Sequence, residues 1–376
     1  MRIVVSGYHG MGNTGDEAVL EAFLQGVRKV LPQARLTVLS GDPESTERAY
    51  GVDSVSRTHL PSIVRALRDA DLLVSGGGSL LQDVTGPFTV PYYTGIMLLA
   101  YLMRVPVAVY AQGLGPLRGR LSRHLARIGL SRAAVLSLRD AESVQLLRQI
   151  GIGRRDVHLV ADPAFALSPQ DSPEARRIGD REGVVMFALR PWDVGRDITP
   201  EYAECARRVR VELGADVVFV AFHPCADLEL AKRLAELTGG ATVITFDMTP
   251  GQALGVVGSA QLVVGMRLHS LIFAASAGVP AVAIEYDPKV RALCERVGTT
   301  HVLPAGVSGD VLYETIARAW SARERLRAEQ VLSVDELREG ARVATELALR
   351  PLLDGKGEGG ARGCGEGGRR VPRRAR

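Results

Sequence analysis

The sequence has few cysteines and few aromatic residues, and both shortages limit what the protein can be. Its 376 residues include four cysteines, none of them in a CxxC pair, and no grouping of histidine and cysteine has the spacing of metal ligands. We therefore expect free thiols in a reducing cytoplasm and no structural metal. Aromatic residues make up only 5% of the chain, so the hydrophobic cores should consist mainly of aliphatic side chains.

The sequence also lacks a long hydrophobic run and a strong excess of one charge. The most apolar stretch, residues 94–111, contains Arg104 and Pro106 and is too short to span a bilayer. Met1 leads directly into a strand-like segment, so we expect no signal peptide. The net charge of +4 comes from an arginine-rich segment at residues 355–376, so the folded part is not expected to bind nucleic acid.

The glycine- and arginine-rich composition of residues 355–376 predicts a disordered tail. A solvated, dispensable extension is the favoured interpretation of this tail. Its basic residues leave open a peripheral contact with anionic lipid at the cytoplasmic face of the membrane. With either interpretation we expect a cytoplasmic protein.

The chain is rich in short apolar runs that alternate with segments of helical spacing. In the first half these runs lie at residues 2–6, 36–39, 71–75, 105–110, 134–138 and 157–160. This alternation predicts a parallel, doubly wound α/β domain. A polar segment at 168–183 indicates a linker, and the same rhythm resumes at residue 184. We therefore predict two Rossmann-like domains, residues 1–168 and 183–354.

Cationic side chains follow several of the predicted strands. Arg139 ends one strand, Arg267 and His269 stand between a strand and a helix, and Lys289 follows the next strand. Loops after neighbouring parallel strands meet at the carboxyl edge of the sheet. Together with the helix start at Leu268 to Ser270, these residues should form a site for a small anion. The alternatives are an ion pair of Arg139 with a neighbouring carboxylate and a helix-start role for His269.

Two glycine-rich loops also follow predicted strands. The first, residues 7–16, includes Gly12 and Asn13 and is neither a Walker A loop nor a GxGxxG motif. Its glycines would let backbone amides approach a ligand, or it is a flexible turn capped by Thr14 or Asp16. The second contains Gly77 and Gly78 and serves either ligand binding or close packing of the two domains. His9 and His223 are weaker site candidates.

Six segments resemble, in order, the polysaccharide pyruvyl transferase family, above all its CsaB-like branch: SGYHGMGNTGDEAVL, VSGGGSLLQDVTG, AQGLGPL, SLRDAES, VADPAF and GMRLHSLIFAASAGVP with YDPKV. The resemblance extends from residue 1 to about 353. It implies a GT-B-like fold in which two Rossmann-like domains face a cleft. The first domain would bind the acceptor, and the second would contribute donor-binding residues.

The resemblance also implies a reaction and its substrates. Phosphoenolpyruvate would be the donor, with no cofactor, and a pyruvate ketal on a sugar would be the product. In the CsaB-like branch the implied acceptor is N-acetylmannosamine of a lipid-linked precursor of a secondary cell-wall polymer. The functional positions of the family match Arg139, His269 and Lys289.

The predicted cationic site suits a donor that carries a phosphate and a carboxylate. We assign His269 the role of proton donor, and Asp16, oriented by Asn13, that of the base for the sugar hydroxyl. The main alternative is a glycosyltransferase of the same fold that uses a nucleotide sugar, with Glu285 on the ribose. A non-catalytic sugar-binding or scaffold protein is the third interpretation, and the scarcity of aromatic residues disfavours it.

Overall fold

Two parallel β-sheets, one in each half of the chain, form the framework of the molecule. The structure, a computed structural model, describes residues 1–84 and 86–354. The tail predicted at residues 355–376, together with its lipid contact, lies outside the described residues. Among those that are described, no helix is long and apolar enough to cross a membrane.

The first sheet has seven strands, β1 (Arg2–His9), β2 (Arg35–Ser40), β3 (Asp53–Ser56), β4 (Leu72–Gly76), β5 (Val107–Gln112), β6 (Val135–Leu138) and β7 (Val157–Leu159). Their order is β3-β2-β1-β4-β5-β6-β7. The helices of this half are α1 (Thr14–Val30), α2 (Pro43–Tyr50), α3 (Leu60–Arg68), α4 (Thr89–Leu102), α5 (Arg120–Ser131) and α6 (Ala141–Gln149).

The second sheet has six strands, β8 (Val184–Ala188), β9 (Asp216–Ala221), β10 (Thr242–Thr245), β11 (Leu262–Gly265), β12 (Ala281–Glu285) and β13 (Val302–Pro304). Their order is β10-β9-β8-β11-β12-β13. The remaining helices are α7 (Pro173–Gly179), α8 (Thr199–Glu212), α9 (Pro224–Leu237), α10 (Pro250–Gly258), α11 (Leu268–Ser276), α12 (Pro288–Val297), α13 (Gly309–Ser321) and α14 (Arg323–Asp354).

In both sheets the order in which successive strands are added reverses beside the first strand, and this reversal determines where the cleft lies. In each sheet the second and third strands lie on one side of the first, and the later strands lie on the other. Ligands of doubly wound sheets bind outside the carboxyl ends of the strands at such a reversal. The strands β4, β5 and β8 are buried throughout, as expected for parallel strands covered by helices on both faces.

The sequence patterns missed the most polar elements. Helix α2 buries only Thr46, and β3 is a short edge strand in which no residue is fully buried. Neither element has the apolar periodicity on which the prediction relied. The patterns also missed α10, α12 and β13, and α7 lies within the predicted linker. The two final helices, predicted at 312–328 and 334–353, instead meet at Ala322, between α13 and α14.

The last helix, α14, returns to the first half of the chain. Its Ala344, Ala348 and Leu352 lie in the hydrophobic core beside β1 and β5. The hydroxyl oxygens of Thr345 and Tyr110 are 3.1 Å apart. The end of the predicted second domain therefore packs as part of the first lobe.

Several direct contacts hold the two lobes together beside the cleft. The backbone N–H of Thr14 donates to the carbonyl of Phe222 over 3.0 Å. The carboxylate of Glu21 accepts the N–H of Gly251 over 3.1 Å. Groups at the carboxyl edges of the two sheets therefore face each other at short range.

Candidate active site

Arg139, directly after β6, is a buried cation held by groups from three loops. Its Nη1 donates to Oδ2 of Asp162 over 2.6 Å, and its Nη2 donates to the hydroxyl of Ser79 over 2.7 Å. Its Nε lies 3.5 Å from Oδ2 of Asp140. A Cβ atom on Gly113 would lie 2.8 Å from the same Nε, so the arginine needs a glycine there. The ion pair with a neighbouring carboxylate therefore exists, but the closest carboxylate is Asp162.

His269 reaches this cluster from the second lobe. It is the second residue of α11, and its ring lies against Gly15, where a Cβ atom would stand 2.0 Å from the Nδ1 of the histidine. Its Nε2 is 3.7 Å from Oδ2 of Asp162, the oxygen that also accepts from Arg139. That Nε2 is buried and has no hydrogen-bond partner among the described residues. The ring is therefore positioned by packing, and one of its nitrogens is left without a hydrogen-bond partner among the described residues.

Two carboxylates of the cluster, Asp162 and Asp16, have pKa values that burial raises and neighbouring positive charges lower. Burial acts to raise the pKa of Asp162, but the positive charges of His269 and Arg139 outweigh it and hold that pKa well below its usual range. For Asp16 burial prevails, and its pKa rises to about 6 although His269 and Arg139 act to lower it. One carboxylate is therefore a permanent anion, and the other can exchange a proton near neutral pH.

Asn13 caps α1 and also holds the Asp16 carboxylate. Its Oδ1 accepts the N–H of Gly15 over 3.2 Å, and its Nδ2 donates to Oδ2 of Asp16 over 2.6 Å. The predicted caps, Thr14 or Asp16, were wrong, because the chain becomes helical one residue after Asn13. On the other side of the carboxylate, a Cβ atom on Gly78 would stand 2.5 Å from its Oδ1.

The other loop glycines have different surroundings. Gly77 has a positive φ of 83°, and a Cβ atom there would lie 2.0 Å from Cγ1 of Val19 on α1. Because Gly77 has no side chain, this loop can pack closely against α1 within the first lobe. Gly12 also has a positive φ, of 68°, but faces open space.

Lys289 and Arg139 line the same cleft between the lobes. This cleft has a volume of about 290 Å³ and is also lined by Ser79, Gly113 and Pro288. Lys289 is the second residue of α12, and its Nζ lies 3.4 Å from Oδ2 of Asp287. Two of the predicted cations, one from each lobe, are therefore brought together by the fold.

Other predicted ligand-binding residues have partners within the protein. Arg267 forms a forked pair with the fully buried Asp227, whose Oδ2 lies 3.0 Å from the arginine Nε. Ser270 is also buried, and its hydroxyl donates to the carbonyl of Arg267 over 2.6 Å. Glu285 is held in the same forked manner by Arg291.

The two weaker histidine candidates have low pKa values. His9 is buried against Gly7, and burial, assisted by the charge of Arg57, lowers its pKa to about 3. Burial, assisted by Arg267, also lowers the pKa of His223. Both rings are therefore neutral at physiological pH.

Three residues of the site were not identified from the sequence, namely Ser79, Asp162 and Arg296. Asp162 follows β7 just as Arg139 follows β6, so the strand-end rule could have found it. Arg296 lies on α12, which the patterns missed, and its Nη1 donates to the carbonyl of Arg139 over 2.7 Å. No local signal distinguished Ser79, because its contact depends on how two loops approach each other.

The fold and the site define a class of protein. Two Rossmann-like lobes that face a cleft form a GT-B-like fold, and the predicted fold class is confirmed. Anabaena HepE in complex with UDP-glucose shares it, with a TM-score of 0.61, 11% identity and coverage of 95% of this chain and 100% of that one. A putative UDP-N-acetylglucosamine 2-epimerase from Listeria monocytogenes has a TM-score of 0.65, 12% identity and 96% coverage of both chains.

The family of the protein is identified from the sequence of residues 13–288. Residues 13–288 match the family model of the polysaccharide pyruvyl transferases, so the chain belongs to that family and is a pyruvyl transferase. It is also 24% identical, over 364 residues, to the amylovoran biosynthesis protein AmsJ of Erwinia amylovora. That similarity covers 79% of this chain and 86% of AmsJ. The resemblance to the family is thereby confirmed.

Proposed function

We propose that this pyruvyl transferase uses phosphoenolpyruvate as its donor and binds it in the cleft between Arg139 and Lys289. The observation that carries the proposal is that these two cations, from different lobes, line one cleft of about 290 Å³. A guanidinium has five N–H donors, and among the described residues Arg139 uses two in hydrogen bonds to side chains, while its Nε faces Asp140 over 3.5 Å. Its terminal nitrogens can therefore still donate to the donor carboxylate or phosphate.

The proposed reaction balances without a cofactor. A proton adds to the methylene carbon of phosphoenolpyruvate, which becomes the methyl group, and C2 acquires cationic character. One sugar hydroxyl attacks C2 and loses its proton to a base, and a second hydroxyl closes the ketal as the C2–O bond to phosphate breaks. The proton of the second hydroxyl leaves with the phosphate. Side-chain cations stabilise the charge of the departing phosphate.

His269 is the proposed proton donor. Its Nε2 has no hydrogen-bond partner among the described residues and lies beside the anionic Asp162. Its ring is fixed against Gly15, which reduces the reorganisation needed for proton transfer. Arg296 acts as a positioning residue, because it donates from the second lobe to the backbone carbonyl of Arg139.

Asp16 is the proposed base for the attacking hydroxyl, and its raised pKa predicts a pH dependence. Because burial raises that pKa to about 6, the carboxyl becomes protonated as the pH falls below that value. We expect kcat/KM to fall about tenfold per pH unit there, and Asp16→Asn to lower the rate by about 10²–10⁴-fold and remove this slope. The measurement is a pH profile of phosphate release from phosphoenolpyruvate.

Glu17 provides a matched control for this profile. Burial also raises its pKa to about 6, but its carboxylate contacts the N–H of Gly10 and the hydroxyl of Tyr50 instead of Asn13. Glu17→Gln keeps an acceptor for Gly10 and should retain the acidic slope. An unchanged slope in Asp16→Asn would assign the base to another group.

For the acceptor we propose a sugar carried on a diphosphate, with N-acetylmannosamine of a lipid-linked cell-wall polymer precursor as in the CsaB-like branch. The HepE structure is a complex with UDP-glucose, and the Listeria neighbour is a putative UDP-N-acetylglucosamine 2-epimerase. Both names support a sugar diphosphate as a ligand suited to this fold. Contact with the membrane face, where a lipid-linked acceptor resides, is part of the same proposal.

A donor assay separates this proposal from the nucleotide-sugar glycosyltransferase. That alternative needs a free carboxylate for the ribose, whereas Glu285 is held by Arg291. We expect phosphate release from phosphoenolpyruvate with a lipid-linked N-acetylmannosaminyl disaccharide, and no nucleoside diphosphate release from UDP-sugars. The disaccharide without its lipid diphosphate serves as the control acceptor. Release of nucleoside diphosphate with no use of phosphoenolpyruvate would contradict the proposed donor.

A further inference from the structure

A second cavity, larger than the donor cleft, opens beside the carboxyl end of β8 in the second lobe. It has a volume of about 450 Å³ and shares no lining residue with the cleft that contains Arg139 and Lys289. Arg190, Trp192 and Tyr202 line it, together with residues of α8 and α9. The roles proposed above make no use of this cavity.

Arg190 supplies this cavity with a cation that pairs with no carboxylate of the described residues. Among the described residues it forms neither an ion pair nor a hydrogen bond through its side chain, and its Nε is buried without a partner. The other two arginines that line the cavity differ, because Arg196 pairs with Glu201 and Arg233 pairs with Asp197. A partly desolvated, unpaired guanidinium favours binding of an anion, and its planar fork suits phosphate oxygens.

Aromatic rings surround this guanidinium. Its central carbon lies 4.7 Å from the ring centre of Tyr286 and 5.6 Å from that of Trp192. The two rings pack edge to face with their centres 5.0 Å apart, yet Trp192 remains 43% exposed. The hydroxyl of Tyr202, also at the cavity, is buried and has no partner among the described residues. The cavity therefore offers an anion site beside an exposed apolar surface and an unused polar group.

Tyr286 connects this cavity to the donor cleft. The Nζ of Lys289 lies 6.0 Å from the ring centre of Tyr286, on which Arg190 also stacks. Lys289 in turn lines the donor cleft with Arg139. A ligand whose anionic end is bound at Arg190 could thus extend an attached sugar past Tyr286 towards the phosphoenolpyruvate.

We infer that this cavity binds the diphosphate through which the acceptor sugar is carried. Arg190 holds the diphosphate, and Trp192 covers the group attached to its far end. That group is either a nucleoside or a polyprenyl chain, because both sources share the same diphosphate chemistry. The inference rests on the proposed function, in which the acceptor is a sugar diphosphate, and it adds the residues that recognise the carrier. It assigns the carrier to the second lobe, whereas the family resemblance implied that the first domain binds the acceptor.

The two tryptophans of the chain permit a direct binding test. They are Trp192 and Trp320, so the variant Trp320→Phe leaves Trp192 as the only indole reporter. Inorganic pyrophosphate, UDP and farnesyl diphosphate are titrated against this variant while its fluorescence is followed. We expect saturable quenching by UDP or by farnesyl diphosphate, with affinity at least about tenfold above that of pyrophosphate. Tighter binding of UDP indicates a nucleotide carrier, and tighter binding of farnesyl diphosphate indicates a lipid carrier.

Arg190→Gln tests the role of the guanidinium. We expect it to weaken binding of the preferred diphosphate at least about tenfold, because one charge-assisted contact is lost. Arg207→Gln is the matched control, since Arg207 is an exposed arginine of α8 that pairs with Glu204 outside the cavity. Calorimetric titration of the unmodified protein and of both glutamine variants gives the same comparison if Trp320→Phe folds poorly.

Three results would overturn the inference: no saturable binding of either organic diphosphate, affinities no higher than that of pyrophosphate, or equal affinities in Arg190→Gln and the unmodified protein. The binding test contains no phosphoenolpyruvate, so it can succeed even if the proposed donor is wrong. In the transfer assay, Arg190→Gln should raise the acceptor KM at least about tenfold and leave the phosphoenolpyruvate KM unchanged. If the unmodified protein did not turn over phosphoenolpyruvate in the transfer assay, that result would instead count against the proposed function alone.

Discussion

Replacing His269 with alanine is expected to lower the rate of pyruvyl transfer by about 10²–10⁴-fold, the contribution of a positioned proton donor. The effect should appear in kcat, since the proposed donor-binding residues Arg139 and Lys289 are unchanged in this variant. The side chain is 14% exposed and its Nε2 makes no hydrogen bond to a described residue, so the fold should survive the change. Steady-state phosphate release and circular dichroism measure the two effects.

His301→Ala is the control for this variant. His301 is also partly buried, but it precedes β13 and therefore lies at the amino edge of the second sheet, opposite the cleft. Its replacement should change kcat less than about threefold, as is usual for a substitution away from a site. A folded His269→Ala protein with near-normal kcat would remove the histidine from the mechanism.

Replacing Arg139 with alanine is expected to abolish activity and also to destabilise the protein by up to about 3–5 kcal/mol, because the buried Asp162 would lose its hydrogen-bonded cation and keep only His269, whose Nε2 is 3.7 Å away. The side chains of both residues are only 6% exposed, so the ion pair is largely removed from water. The double variant Arg139→Ala, Asp162→Asn should recover most of the lost stability. The asparagine has no charge, but it keeps an acceptor for the N–H of Ala164. Its activity should remain absent, because the anion-binding guanidinium is still missing.

Urea denaturation with a parallel activity assay separates the two consequences of the Arg139 change. Arg154→Ala is the control, since its pair with Asp156 has a carboxylate that is 64% exposed. Loss of such a pair is expected to change stability by less than about 1 kcal/mol. If the double variant regained activity together with stability, Arg139 would be a structural residue and not a donor ligand.

The sequence predicted the fold class and a large part of the candidate site. The alternation of apolar runs with helical segments indicated the doubly wound lobes, and the strand-end rule selected Arg139, His269 and Lys289. Asp16 was selected as a base beside Asn13, and the two side chains are in fact joined by a hydrogen bond of 2.6 Å. These local features are visible because strand ends and helix starts are marked by composition.

The strand-end rule could not distinguish a cation that is free to bind a ligand from one that is paired with a carboxylate of the protein. Arg267 follows β11 just as Arg139 follows β6, yet its partner Asp227 is 40 residues away and fully buried. Arg190 follows β8 in the same manner and was not singled out, although it forms no ion pair with any carboxylate in the described part of the chain. Which carboxylate reaches which arginine depends on how helices such as α9 approach the sheet.

By itself, the sequence determined where the strands end, where glycine permits a close approach and which charged residues stand at the carboxyl edges. These properties depend on apolar periodicity and on backbone conformations that span a few residues. Only the tertiary structure decided that Asp162 stands between Arg139 and His269, that Arg267 is paired and that Arg190 has no carboxylate partner within residues 1–84 and 86–354. A buried charge must be compensated by whichever groups lie nearest in space, and that neighbourhood forms only when the two lobes pack together.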